Sequence, residues 1–317
     1  MNETNSPACT ASRLNRLGIT VFERGWLSSN NVLFQGDEST ALVDSGYCTH
    51  SSQTVSLVQD ALQTRPLDLL LNTHLHSDHC GGNAALQAAF PQLKTRIPPG
   101  QAEAVANWDP VTLTHEPTGQ TCPAFNFHGV LFPGDTIRLG HAHWEIHAAK
   151  GHDPHSIVLF EPSSRVLISA DALWENGFGV VFPELEGIDA FEEVSDTLSV
   201  IEALKPAAVI PGHGAVFDDV EGALQRARSR LDQFVKTPEK HRRYALKVLL
   251  KFKLLEWQSV TFDDLLAWYT KTPYIRSLER RPVSPDTEAL HESLNSLIAD
   301  LAKSNALRVQ GDRIVDA

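Results

Sequence analysis

The chain has 317 residues, of which 42% are hydrophobic and 21% charged, enough to bury one large core or two modest ones. Its longest apolar runs, between Asp68 and Asn72 and from Ser156 to Phe160, fall far short of the roughly 20 residues needed to cross a bilayer, which excludes a membrane-spanning helix. The formal charge of −12 is unevenly spread: residues 1–220 hold 10 Lys/Arg against 26 Asp/Glu, and residues 221–317 hold 17 against 13, so the larger part is a poor surface for a polyanion.

The polar start, Met1 to Arg16, shows neither the basic and then apolar order of a secretion signal nor the Arg-rich bias of a transit peptide, and a cytoplasmic protein is expected. Cys9, Cys48, Cys80 and Cys122 contain no CxxC pair and are too sparse for a disulfide scaffold, so they read as thiols.

In chain order, Ile19 to Phe22, Asn31 to Phe34 and Thr40 to Val43 read as strands of a meander broken at Gly25 and Gly36-Asp37. Ser51 to Leu62 has helical spacing, and Leu69 to Leu71 is a buried strand leading to Thr73. The stretch from Arg96 to Phe132 shows neither period and is rich in Pro, Gly and Thr, which suggests a long insertion or lid. Ile137 to Leu139 pairs with Trp144 to Ile146, and Ser156 to Phe160 with Val166 to Ser169. The amphipathic helix Phe191 to Leu204 closes at Lys205-Pro206, before a strand at Ala208 to Ile210. This is mixed-sheet α/β material up to about residue 220.

Beyond residue 220 the pattern becomes helical: Tyr244 to Glu256, a capping box at Thr261 to Asp264 leading into Leu265 to Tyr269, and Glu288 to Ser304. Leu307 to Val309 and Arg313 to Val315 flank a hairpin turn. Three helices and a hairpin sketch a winged-helix-like domain over 221–317, with Trp257 and Trp268 expected in its core. Lys236 to Lys253 is the one candidate polyanion patch, read as a solvated helix face.

The chemistry concentrates in His74-Leu-His76-Ser-Asp78-His79, four metal-ligand types within six residues, directly after a buried strand and before Gly81-Gly82-Asn83. Residues two apart in an extended chain face the same way, so His74 and His76 can share one ion while Asp78 and His79 turn toward a second. With this HxHxDH motif, residues 1–220 resemble the metallo-β-lactamase superfamily of metallohydrolases. Further segments appear in family order: Asp44 in Leu42-Val-Asp-Ser-Gly46, His152 in Gly151-His-Asp-Pro-His155, Asp171 at the end of Leu167 to Asp171, and His213 in Pro211-Gly-His-Gly214.

The resemblance implies an αββα sandwich and two metal ions per chain. His74, His76 and His152 would bind the first, Asp78, His79 and His213 the second, Asp171 would bridge, and Asp44 would support without ligating. Imidazole and carboxylate suit zinc, with iron and manganese also compatible. Two such ions share an activated water, giving hydroxide that attacks a polarised carbonyl or phosphorus, with Asp78 orienting it.

An aspartate at 171 resembles the glyoxalase II, lactonase and nuclease branches rather than true β-lactamases. A small ester, thioester or lactone is the expected substrate. Endoribonuclease or other phosphodiesterase activity, a mononuclear iron persulfide dioxygenase and a metal-sensing DNA-binding protein are the alternatives. Trp174, Phe178, His155 and Trp108 are the candidate substrate contacts. His141, His143 and His147 read as a solvated strand face without acidic partners, and His115 and His128 carry no assignment. The tail is expected to act as a structural cap or a homodimer contact.

Overall fold

The computed structural model describes residues 7–279 and 287–317, and side chains from residue 10 onward in the first stretch and from 288 in the second. Cys9 therefore lies outside the described side chains. A first sheet takes the order β1 (Ile19–Phe22), β2 (Asn31–Gln35), β3 (Thr40–Val43), β4 (Leu69–Leu71), β5 (Lys94–Ile97) and β6 (Gly129–Val130). Its first three strands run antiparallel as the expected meander, and β3 to β6 are parallel. A second sheet contains β7 (Thr136–Leu139), β8 (Ala142–Ala148), β9 (Ile157–Glu161), β10 (Val166–Ala170) and β11 (Ala208–Pro211), with only β10 and β11 parallel.

Strand alternation decides which layer each side chain joins. Val32 and Phe34 of β2 face the space between the sheets with Val43, Leu71, Trp144, Ile146, Ile157, Leu159, Ile168 and Ile210. Leu33, Leu42 and Leu70, one residue out of phase, face outward onto the helix Ser51–Leu62 through Val58 and Leu62. On the opposite side Val158, Phe160, Leu167 and Val209 meet the helices Phe191–Leu204 and Val220–Lys236. Two sheets with helices on both outer faces give the expected αββα sandwich. At its centre Trp144 is fully buried and meets the Phe34 ring edge-on at 5.3 Å, a geometry worth about 0.5–1.5 kcal/mol beyond area burial.

Three differences from the sequence reading have physical causes. The stretch 96–132 is no loose lid: its ends contribute to β5 and β6, and Ala104, Val105, Leu113 and Phe125 form a small core with Leu75, Cys80 and Ile97. Its elements are too short to show a period. The helix Val220–Lys236, past the expected division at residue 220, buries Val220, Ala223, Leu224, Ala227, Leu231 and Phe234 against the second sheet. The C-terminal region then comprises the helices Pro238–Trp257, Phe262–Lys271, Pro273–Leu278 and Thr287–Lys303 with a small sheet, β12 (Ser259–Thr261), β14 (Arg313–Asp316) and β13 (Leu307–Gln310). Its core is Leu250, Leu254, Leu265, Tyr269, Leu290, Leu294 and Leu297. Trp257 is 38% exposed and Trp268 only partly buried, because both lie at the edge, where Lys253 stands over both rings.

Among the described residues no helix is long and apolar enough to cross a membrane.

Candidate metal centre and substrate cavity

Each candidate ligand stands where a strand releases the chain. Past β4 the chain turns through Asn72 and Thr73 into the short helix Ser77–Cys80. Asn72, Asn83 and Ser45 lock that turn by an amide pair at 2.7 Å, a hydroxyl donated to Asn83 Oδ1 at 2.7 Å and an Asn72 Nδ2 donation to the His79 carbonyl at 3.2 Å. Asp44 follows β3 with φ 58°, a left-handed conformation that Asp tolerates better than most side chains. Its carboxylate accepts from Thr73 N at 2.9 Å and Thr73 Oγ1 at 2.8 Å and lies 2.8 Å from His79 Nδ1.

At the end of β10 the register with β11 slips between Ile168 and Ala170, and Ala170 takes φ 47°. This bulge turns Asp171 into the same rim. Gly212, after β11, allows the approach: a Cβ there would stand 2.2 Å from Asp171 Oδ1. Asn30 donates its side-chain amide to the Pro211 and Gly214 carbonyls and so fixes the loop carrying His213. His152, past β8, has Nδ1 at 2.6 Å from the Val180 carbonyl, which leaves Nε2 turned inward.

The side chains gather in two groups. One ligand atom each from His74, His76 and His152 lies within 4.8 Å of the others, and the same holds for Asp78, His79, Asp171 and His213. Asp171 faces both, with Oδ2 3.4 Å from His152 Nε2 and Oδ1 3.4 Å from His79 Nε2. His213 Nε2 is 3.1 Å from Asp78 Oδ2.

The residues fit a pair of cations. His74 Nε2 is buried without any hydrogen-bond partner, a costly state for an imidazole nitrogen unless something electrophilic meets it, and His79 Nε2 faces only the carboxylates of Asp171 at 3.4 Å and Asp78 at 3.9 Å. The opposite nitrogens of His74 and His79 are oriented by Thr73 Oγ1 and Asp44, the outer support that ligating histidines usually have.

The two groups differ electrostatically. Burial, followed by the neighbouring imidazoles, holds His74 well below its ordinary value, and the same causes lower His76 to about 4. In the second group burial opposes charge but loses: Asp171, Asp44 and Asp78 together hold His79 well above its usual range, and His79 with His213 keeps Asp171 well below the carboxylate range. Burial and neighbouring imidazoles thus favour the neutral form of His74 and His76, whereas His79 and Asp171 favour their charged forms.

Above both lies a cavity of ≈ 240 Å³. His76, Asp78, His152, Asp171 and His213 line its floor. Its walls include Trp26, Trp174 and Phe182, with Tyr244, Val248, Leu249, Phe252 and Tyr274 from the C-terminal region. Trp26 stacks on His213 at 5.4 Å and 10°, and Trp174 Nε1 donates to Asp171 Oδ1 at 3.2 Å.

Of the expected substrate contacts, Trp174 and His155 reach the cavity. Phe178 does not: it is 1% exposed and packs edge-on to Phe234 beneath the loop. Trp108 does not either, its ring meeting Phe125 and His115 in the small core of the 96–132 stretch. His141 and His147 are partly exposed on the strand face but do have acidic neighbours, Asp37 at 3.7 Å and Glu145 at 3.0 Å.

The basic stretch is largely spent on ion pairs, Arg243 and Lys247 with Asp300, Arg242 with Glu239, Lys251 with Asp316 and Lys253 with Glu256. The aromatic and aliphatic wall from the tail had no distinctive sequence signal. Tyr244, Val248, Leu249 and Phe252 have the spacing of any amphipathic helix face.

Comparison with known proteins agrees with this geometry. The metallo-beta-lactamase superfamily model matches residues 24–213. The human protein named acyl-coenzyme A thioesterase MBLAC2 is 24% identical over 232 residues, covering 63% of this chain and 80% of its own. Hydroxyacylglutathione hydrolase of Bdellovibrio bacteriovorus is 31% identical over 157 residues, 48% of this chain and 52% of that protein. Among solved structures, a metallo-beta-lactamase family protein of Thermus thermophilus superposes with TM-score 0.56 at 17% identity, covering 95% of this chain and 99% of the other. That likeness of fold therefore extends into the C-terminal region.

Proposed function

The chain belongs to the metallo-beta-lactamase superfamily, and on that premise we propose that it is a dinuclear metal-dependent hydrolase of small acyl thioesters, with esters and lactones as the wider substrate class. The observation that carries this reading is the meeting of two ligand groups, joined through Asp171, at the floor of a cavity with aromatic and aliphatic walls. His74, His76 and His152 would hold one ion, Asp78, His79 and His213 the other, and Asp171 would bridge. Zinc suits this donor set. When bound, such a pair polarises a carbonyl and makes water nucleophilic near neutral pH.

The chain's own residues do the rest. Asp78, at the cavity floor, would orient the attacking water and accept its proton. Asp44 fixes His79, and Trp174 fixes Asp171 by its indole N–H. Val248, Leu249 and Phe252 would seat the acyl group. A thiol departs as thiolate with little need of a proton donor. The names of the relatives, a thioesterase and a hydroxyacylglutathione hydrolase, support the same class.

In this reading the tail, taken as winged-helix-like, serves as a pocket wall, and five cations of its basic stretch, Arg242, Arg243, Lys247, Lys251 and Lys253, are paired with carboxylates rather than presented to phosphates. The test is metal analysis of the purified protein followed by hydrolysis of a panel of acyl thioesters, esters, lactones, phosphodiesters and single-stranded RNA. Thioester turnover that falls by about 10²–10³-fold in Asp171→Ala is expected. Faster cleavage of RNA or phosphodiesters, or protein that takes up no metal, would overturn the proposal.

A further inference from the structure

On the other side of the turn that carries the floor residues, three donors that the hydrolytic site does not use come together. Cys80 ends the helix Ser77–Cys80 and is fully buried, His115 is 2% exposed, and Cys122 is half-buried. The last two belong to the 96–132 stretch. One ligand atom from each lies within 4.8 Å of the others, and the two sulfurs are 3.7 Å apart. Two thiolates bound at about 2.3 Å to a tetrahedral ion would stand roughly 3.8 Å apart, so the pair is already spaced for a shared cation.

His115 supplies an independent sign. Its Nε2 lies 3.0 Å from the Leu75 carbonyl, and its Nδ1 is buried with no partner. A buried polar atom without a partner calls for a ligand to satisfy it, and a disulfide between the two cysteines would leave that nitrogen as it is. Cys48 is nearby, but its sulfur is not one of the three converging donors; the thiols of Cys80 and Cys122 now donate to the Leu75 and Pro123 carbonyls, bonds that a metal–sulfur bond would replace.

We propose that Cys80, His115 and Cys122 form a separate site for a thiophilic divalent cation of the zinc class, with water or a fourth donor completing the tetrahedron. On binding, each thiol exchanges its proton for a metal–sulfur bond, so uptake of an ion releases two protons to solvent. The ion would fasten the 96–132 stretch to the turn bearing His76, Asp78 and His79. The same two segments are already joined where Ser77 Oγ donates to Gln120 Oε1, and Thr121 N donates to Tyr47 Oη, in the loop after β3, at 3.1 Å. The role is structural, in contrast to the centre that faces the cavity.

The His/Asp centre contains no sulfur, so thiolate-to-metal absorption reports this site alone and separates its failure from failure of the hydrolase reading. The full-length protein, stripped of metal and reduced, is titrated with cadmium chloride. Ultraviolet thiolate-to-cadmium absorption is expected to level off at the amplitude of one ion held by two thiolates per chain, to be lost in Cys122→Ser and weakened in His115→Ala, and to persist in Asp171→Ala, Cys48→Ser and Cys9→Ser. Cys122 is half-buried, so its variant remains informative even if Cys80→Ala fails to fold. No thiolate band in the wild-type protein, a band unchanged by Cys122→Ser, or one abolished by Cys48→Ser alone would overturn the proposal. So would a Cys80–Cys122 disulfide, detected by mass, in a chain whose reduced form shows no such band.

Discussion

The floor and the wall of the cavity are built from different kinds of sequence. The floor is polar and buried, and each side chain is held by at least one further group, as Asp44 holds His79 and the Val180 carbonyl holds His152. Its residues sit past strand ends, on loops and on the short helix Ser77–Cys80, where one wrong rotamer would disperse the candidate ligands. The wall is apolar, and much of it comes from one face of the helix Pro238–Trp257, where side chains of similar volume can replace one another at modest cost. The comparison teaches that, under the proposed function, the reacting groups come from the first part of the chain while much of the surface facing the substrate comes from the tail, a division that can be broken or sharpened by experiment.

The largest effect belongs to the floor. Asp171→Ala removes the carboxylate that faces both ligand groups, and we expect loss of at least one metal ion and a fall in kcat/KM of about 10²–10³-fold, read by elemental analysis and steady-state kinetics. An active variant with its full metal content would show that Asp171 is not the bridge.

Next comes the joint between floor and wall. His241, on the wall helix, accepts from Val181 N at 3.1 Å between the rings of Phe191 and Phe234, and burial lowers its pKa from 6.5 to about 4. The unfolded chain therefore binds the extra proton between these values. The stabilisation is complete above about pH 6.5 and is lost as pH falls through about 4, a swing of up to about 3 kcal/mol. Urea denaturation of metal-free protein should show that slope, reduced in His241→Gln. An identical slope in the variant would place the acid sensitivity entirely in the floor.

A smaller change is expected from Asp44→Asn, which keeps the shape and weakens the support of His79. Metal affinity should fall roughly 10–100-fold with the fold intact, as competition with a chelator would measure. Smallest is the wall itself: Val248→Ala should raise KM for the longest acyl thioesters by about tenfold or less, leaving kcat and metal content as they were. Equal effects on short and long chains would remove Val248 from the acyl site.

These differences also explain what could be read from the sequence. The HxHxDH run sets four candidate ligands together by local geometry, and His152, Asp171 and His213 were named through the family resemblance, so the residues that the structure gathers at the floor were all singled out from the sequence. The sandwich was implied by the resemblance rather than by patterning, because Val32, Leu33 and Phe34 are all apolar and their division between two cores shows only in the structure. Phe178 and Trp108 were misplaced because closeness in sequence to a ligand does not say which side of a loop a ring occupies. Tyr244, Val248 and Phe252 stayed hidden because a helix face turned toward a cavity has the same spacing as one turned toward a core. His115 and Cys122 escaped notice because their contact with Cys80 spans a stretch without any period.

The use of the helix Pro238–Trp257 as a wall has a consequence in time. A chain made from its N-terminus completes every floor residue, His213 being the last, before the residues of that helix are joined on. The nascent protein thus passes through a stage with its candidate ligands already synthesised and the apolar face of that helix not yet made. Under the proposed function, selectivity is the last property the growing molecule acquires.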